Sequence, residues 1–249
     1  MARSLLSSLI AALTVAALAA PTAPAQDKKP DAPKPAVEPK SSENKDDQKP
    51  AGDLAPIDLK LPKPAFKGTP KNVPPGTNLE KPRTGPRPPF EAPKGAKNLA
   101  AGKPVTASDS DPITGKLAMI TDGDKEATEG SYVELGPGLQ WVQIDLKEPT
   151  KIYAVVAWRY HMNARVYHDV VVQVSDDKDF LKGVKTIFNN DHDNSSGLGV
   201  GDAKEFWETY EGHLVDGKGA VGRYVRLYTK GNTADDQNHY VEVEVWGAK

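Results

Sequence analysis

The chain has 249 residues, a formal net charge of −2 and no cysteine, which excludes disulfides, thiol chemistry and cysteine-ligated zinc. The small net charge hides a split: Asp27 to Lys97 carries +5 and Lys103 to Lys249 carries −8. An acidic second half repels nucleic acid and anionic lipid, so neither is expected as a partner.

In chain order, the first segment reads as an export signal. Arg3 gives a short positive region, Leu5 to Ala20 is apolar, and Ala17-Leu-Ala19 or Ala23-Pro-Ala25 offers small residues for cleavage. The apolar run is shorter than the ~20 residues of a membrane helix. The expectation is a signal peptide over 1–25, no transmembrane segment in the mature chain, and an exported protein that is periplasmic, cell-surface or extracellular.

Residues 26–97 form the next segment. Of the 22 prolines, 18 lie between Pro21 and Pro93. Proline cannot donate to a sheet ladder, and the accompanying Lys, Asp and Glu bury little surface. Leu54, Ile57, Leu59, Leu61, Phe66 and Phe90 punctuate the later part. Two outcomes are open there: a solvated linker, or extended chain laid against the following domain.

Beyond Asn98 the composition changes, with all four Trp, all eight Tyr and three of the five Phe. Strands are expected at Trp141–Leu146, Lys151–Trp158, Asp169–Ser175, Thr186–Phe188, Phe206–Leu214, Arg223–Tyr228 and His239–Trp246. The Lys151–Trp158 run is almost continuously apolar and reads as central. Asp122-Gly123, Asp176-Asp177, Asp216-Gly217 and Gly231-Asn232 are the turn signals between them. About eight strands without an amphipathic helix predict an all-β fold, an eight-stranded jelly-roll β-sandwich over 98–249.

The residues offer few chemical motifs. There is no nucleophile elbow, no HExxH and no phosphate loop, and the five His lack paired-ligand spacing; a carboxylate pair assembled in space stays open, and a non-catalytic role is the expectation. Asp122 and Asp124 flank Gly123 and can turn towards one point, while Glu242 is an acid in an apolar strand. A hard cation such as calcium suits those oxygens; an Asx turn and an exposed Glu are the alternative. The loop Asn189–Gly201 is long, polar and Gly-rich. Its Asp191, His192 and Asp193 can ligate a metal or can satisfy their own turn.

Six blocks in order carry a family resemblance. Asn98-Leu-Ala-Ala-Gly-Lys-Pro-Val-Thr-Ala-Ser108 resembles the opening of a discoidin (factor V/VIII type C) domain, and Thr121-Asp-Gly-Asp124 its first loop. Trp141-Val-Gln-Ile-Asp-Leu146, Val174-Ser-Asp-Asp177, Gly222-Arg-Tyr-Val-Arg-Leu-Tyr228 and His239-Tyr-Val-Glu-Val-Glu-Val-Trp-Gly247 resemble the later blocks. The resemblance implies a galactose-binding-like jelly roll. It also implies a structural calcium held by Asp122, Asp124 and Glu242, the carbonyls of Met119 and Val241, and Thr128 or Ser131. The segment Trp158–Arg165 is similar to the loop of family-32 carbohydrate-binding modules in which an Arg and an Asn grip sugar hydroxyls. Those residues correspond to Arg159 and Asn163, with His161, Arg165 and His168 nearby. The function implied is recognition of a glycan or cell-surface ligand; the alternative is an envelope structural or protein-interaction module without a sugar site.

Overall fold

The computed structural model describes residues 53–66, 70–75, 77–81 and 83–248. The signal-peptide reading over 1–25 lies outside them, and among the described residues no helix is long and apolar enough to cross a membrane. Apart from a 3₁₀ turn at Leu117–Thr121, every regular element described is a strand.

Two long strands organise the domain. β6 (Gln140–Trp158) and β9 (His213–Thr229) run 19 and 17 residues and pair antiparallel. The two runs expected at Trp141–Leu146 and Lys151–Trp158 are therefore one strand, with register shifts between Asp145 and Thr150 and between Ile152 and Ala154. The Asp216-Gly217 signal does not end a strand. Ile152 pairs with Ala220 and Ala154 with Asp216, so residues 217–219 bulge opposite Tyr153. Gly217 is required there, because a Cβ would sit 2.6 Å from the Ile152 carbonyl oxygen.

The main sheet has the order β3 (Lys97–Asn98), β11 (Glu242–Ala248), β6, β9, β7 (Val171–Ser175), β8 (Lys185–Asn189). β4 (Val105–Ala107) pairs with the first half of β6 and β11 with the second. A small second sheet pairs β5 (Val133–Leu135) with β10 (Asn238–Tyr240). The expected closing strand His239–Trp246 is thus split. Val241 donates its N–H to the Trp158 carbonyl (2.8 Å), and the chain passes there from the small sheet to the large one. Phe206–Leu214 is also corrected. Residues 206–212 form a loop, because Phe206 turns aside to stack on His213 (ring centroids 3.4 Å apart) and Gly212 takes φ 65°.

One core lies between the sheets. Val133, Leu135 and Tyr240 from the small sheet meet Val142, Ile144, Val155, Val225, Leu227, Val243 and Val245 from the large one. The alternation of β6 sends Ala154, Val156 and Trp158 to the opposite face, where they join Trp246. Ile57, Leu59 and Phe90 cover that face.

Those three residues belong to a closed strap. β1 (Leu54–Pro56) pairs antiparallel with β2 (Glu91–Pro93), and Ile57 N–H donates to the Phe90 carbonyl (2.9 Å), so residues 57–90 leave and return at one clasp. The outgoing limb places the Lys60 carbonyl on Lys125 Nζ (3.0 Å). On the returning limb, Leu79 makes a parallel bridge with Glu205, and Glu80 N–H donates to the Glu205 carbonyl (2.8 Å). Arg87 then donates to the carbonyls of Gly212 (2.7 Å) and Glu211 (2.9 Å). Residues from 53 onward are part of the same compact unit as the sandwich.

Truncating one apolar anchor tests this cover. Phe90→Ala is expected to cost about 1–2 kcal/mol, read as a lower urea midpoint, and to speed amide exchange at Ile57. An unchanged midpoint with unchanged exchange would show that the strap adds no stability.

Candidate functional site

The turn at Leu117–Thr121 and the following Asp122-Gly123 present the first loop to the last strand. Gly123 N–H donates to Glu242 Oε2 (3.0 Å). Glu242 is fully buried and its Oε1 has no hydrogen-bond partner. Burial, reinforced by the charges of Glu244 and Asp122, pushes its carboxyl up to about 8. Asp122 Oδ1 accepts from Asp124 N–H (2.9 Å) and Asp124 Oδ1 from Glu126 N–H (3.0 Å), so both acids form Asx turns. The Met119 carbonyl accepts from Asp122 N–H (3.4 Å), and the Thr128 carbonyl from Ser131 N–H (2.9 Å). Loop and strand meet, but the three carboxylates do not. Among the described residues, acids converge within 4.8 Å at Asp169, Asp191 and Asp193 instead. There Asp191, despite burial, is held below the usual carboxylate range by Ser196 and Ser195, so the 189–201 loop satisfies its own acid.

The residues expected to grip a sugar do not share an open face. Arg159 is 1% exposed and pairs with Glu208 Oε1 (3.0 Å) on the 206–212 loop, near the rings of Tyr167 and Tyr240. A guanidinium withdrawn from water needs a carboxylate beside it, and Glu208 fills that role. His161 is also 1% exposed. Its Nε2 lies 2.9 Å from the Lys125 carbonyl, which can only accept, so Nε2 carries the proton. Burial lowers its pKa and keeps the ring neutral. Asn163 is exposed but faces Arg165, accepting from Nη2 (2.9 Å) and Nε (3.2 Å). Arg165 stacks on Tyr160 (4.5 Å) and pairs with Asp235 (3.3 Å). His168 bonds Glu205 Oε1 (2.9 Å), and that bond raises its pKa.

A cleft opens between the strap and the 206–212 loop. It has a volume of about 430 Å³ and is lined by Phe66 and Arg83 of the strap and by His161, Trp207, Tyr210 and Glu211 of the sandwich. Trp207 and Tyr210 are half-buried and belong to no core cluster. Glu211 is buried between them and the strap, accepting from Arg83 Nη2 (2.5 Å) and Arg87 N–H (3.1 Å). Sequence reading missed this set because Trp207 and Tyr210 fall inside the expected Phe206–Leu214 strand. The available signal was Glu205-Phe-Trp-Glu-Thr-Tyr-Glu211, where rings alternate with acids in a stretch too polar for a core strand.

The architecture is therefore an all-β jelly-roll sandwich with an aromatic-walled cleft. No protein-family model matches the chain, and no curated protein matches it. Solved structures do. The chain is similar to chitosan-binding module 1 of a chitosanase/glucanase from Paenibacillus sp. IK-5 (19% identity, 61% of this chain and 99% of that one, TM-score 0.40). It is similar to a fucose-binding module of Streptococcus pneumoniae (17% identity, 61% and 99%, TM-score 0.44). It is also similar to a family-32 carbohydrate-binding module of Clostridium perfringens in complex with GlcNAc-α-1,4-galactose (15% identity, 63% and 97%, TM-score 0.45). Against the whole family 89 glycoside hydrolase of Clostridium perfringens (18% identity, TM-score 0.43), the match spans 61% of this chain and 15% of that one.

Two measurements follow from the buried groups. Arg159→Ala leaves Glu208 unpaired in the interior and is expected to destabilise the fold by about 3–5 kcal/mol; a near-native melting temperature would contradict the burial. Glu242 has a folded pKa above its unfolded value, so its stabilising contribution is full below about 4.5 and is lost as pH rises to about 8. In chelator, the urea midpoint of the protein is expected to fall across that window more steeply than that of Glu242→Gln. Equal slopes would remove the assignment.

Proposed function

We propose that the protein is an exported, non-catalytic binding module that recognises carbohydrate in the cleft bounded by Trp207, Tyr210 and Glu211. The supporting observation is the pair of half-buried rings flanking a buried carboxylate in a cavity of about 430 Å³. A pyranose has an apolar face that rests on an aromatic ring and a rim of hydroxyls that donate to carboxylate oxygens. The Arg3 and Leu5–Ala20 pattern supports export, and a glycan or cell-surface ligand follows as the partner.

The same reading includes a structural calcium between the first loop and the final strand. The unpartnered Oε1 of Glu242 fits a cation, because a buried carboxylate is stabilised by a positive charge beside it. Glu242 would hold the ion, with Asp122 and Asp124 turned towards it out of their Asx turns, the carbonyls of Met119 and Val241, and an oxygen of Thr128 or Ser131. A bound calcium supplies the charge that joins the loop to the strand.

One observation favours the second reading, an envelope structural or interaction module. Arg159, one of the resemblance's two sugar contacts, is interior, as is the nearby His161. A glycan array, run with the full mature chain in calcium and in chelator, separates the two. Trp207→Ala is expected to lose about 2 kcal/mol of binding, roughly thirtyfold, with its melting temperature nearly unchanged. If the unmodified protein retains no glycan, the structural reading stands. If chelator leaves the unmodified melting temperature in place, the calcium falls.

A further inference from the structure

We infer that the strap contributes a ligand contact of its own: Arg83 provides the guanidinium fork of the cleft, in the role that the sequence resemblance gives to Arg159. The inference rests on the carbohydrate reading above and names the group and the sugar class that complete it.

The sandwich side of the cleft has rings and acceptors but few donors. Arg159 is enclosed with Glu208. His161 Nε2 is spent on the Lys125 carbonyl, and Glu211 can only accept. Ring hydroxyls are both donors and acceptors, and the donors on this wall, the Trp207 indole N–H and the Thr209 and Tyr210 hydroxyls, are single and neutral, so a paired, charged donor is missing from it. Arg83 fills that gap. It lines the cleft, and its side chain is 41% exposed where that of Glu211 is 7%. Its one hydrogen bond among the described residues runs from Nη2 to Glu211, which leaves Nε and Nη1 to donate.

The fork is also held in place. The Glu211 carboxylate that Arg83 engages is fixed on its other oxygen by the Arg87 backbone N–H. Arg87 is fixed by the carbonyls of Glu211 and Gly212, and the limb by the Glu80 to Glu205 bond. Arginine and carboxylate side by side match two adjacent hydroxyls, one accepting from the fork and one donating to Glu211. Glu80 and Glu211 both border the cleft and disfavour an anionic ring, so the class is a neutral sugar with a vicinal diol rather than a uronic acid.

The test uses the full mature chain on an array of immobilised neutral, amino-sugar and uronic-acid glycans. Variants Arg83→Ala, Arg83→Lys and Trp207→Ala are compared, with amide exchange at Glu80 and Arg87 recorded for each. The expected result is retention of neutral glycans by the unmodified protein. Both Arg83 variants should weaken it about tenfold, because lysine keeps the charge without the fork, and the two strap amides should stay protected in Arg83→Lys. If Arg83→Lys binds like the unmodified protein while Trp207→Ala does not, the fork is overturned and the carbohydrate reading survives. Weakened binding together with lost protection in Arg83→Lys assigns Arg83 to strap docking and also overturns it. Preferred retention of uronic-acid glycans overturns the sugar class. No retention by the unmodified protein ends both readings.

Discussion

The last stretch of β6, Ala154 to Trp158, has no solvent face, and the remainder of the molecule answers to that constraint. The strand's inward residues Val142, Ile144, Val155 and Ala157 are buried in the core shared with the small sheet. Its outward residues Ala154, Val156 and Trp158 would expose a broad apolar strip beside Trp246. An antiparallel sandwich can leave the outer face of such a sheet wet; this one cannot, and the strap is the cover. The described part of the Pro-rich segment, from residue 53, is therefore a third layer of the fold. Its extended limbs suit the task, since a proline-rich chain has few ladder donors to bury.

Polar anchoring fixes where that layer lies. Lys125 is central on one side: its ammonium pairs with buried Glu244 (2.5 Å), rests on Trp158 (4.5 Å to the ring centroid) and donates to the strap carbonyl at Lys60. On the other side Glu205 and Glu211 receive the returning limb. At Glu205 and Glu211 a strap N–H or guanidinium donates to a sandwich carboxylate, in keeping with the opposite charges of the two segments, while at Lys60 the strap is the acceptor. The cleft is a by-product of this arrangement, since its two walls are the returning limb and the 206–212 loop.

Much of the architecture was legible from residue pattern. The apolar runs at Trp141–Leu146 and Lys151–Trp158, the alternation ending at Trp246 and the absence of helical periodicity all pointed to a sandwich with a central strand. What pattern could not convey was where chains cross between sheets. Val241 continues the alternation of its neighbours yet marks the passage from β10 to β11, because the Trp158 carbonyl captures its N–H. Asp216-Gly217 has turn chemistry and lies in a bulge, since a bulge and a turn need the same backbone freedom. The site was less legible still. Arg159 and His161 have the residue types of a binding loop, but burial is decided by Glu208 and the Lys125 carbonyl, both distant in sequence. Trp207 and Tyr210 were hidden because a ring facing a cleft and a ring facing a core look alike in one dimension.

The clasp also sets an order of assembly. Strap residues leave the ribosome before any of the surfaces they cover, and their partners extend as far along the chain as Trp246. Until then the segment has nothing to fold upon. Its prolines and charges keep it from pairing with other chains while it waits, so the strap, made before the sandwich, docks after it.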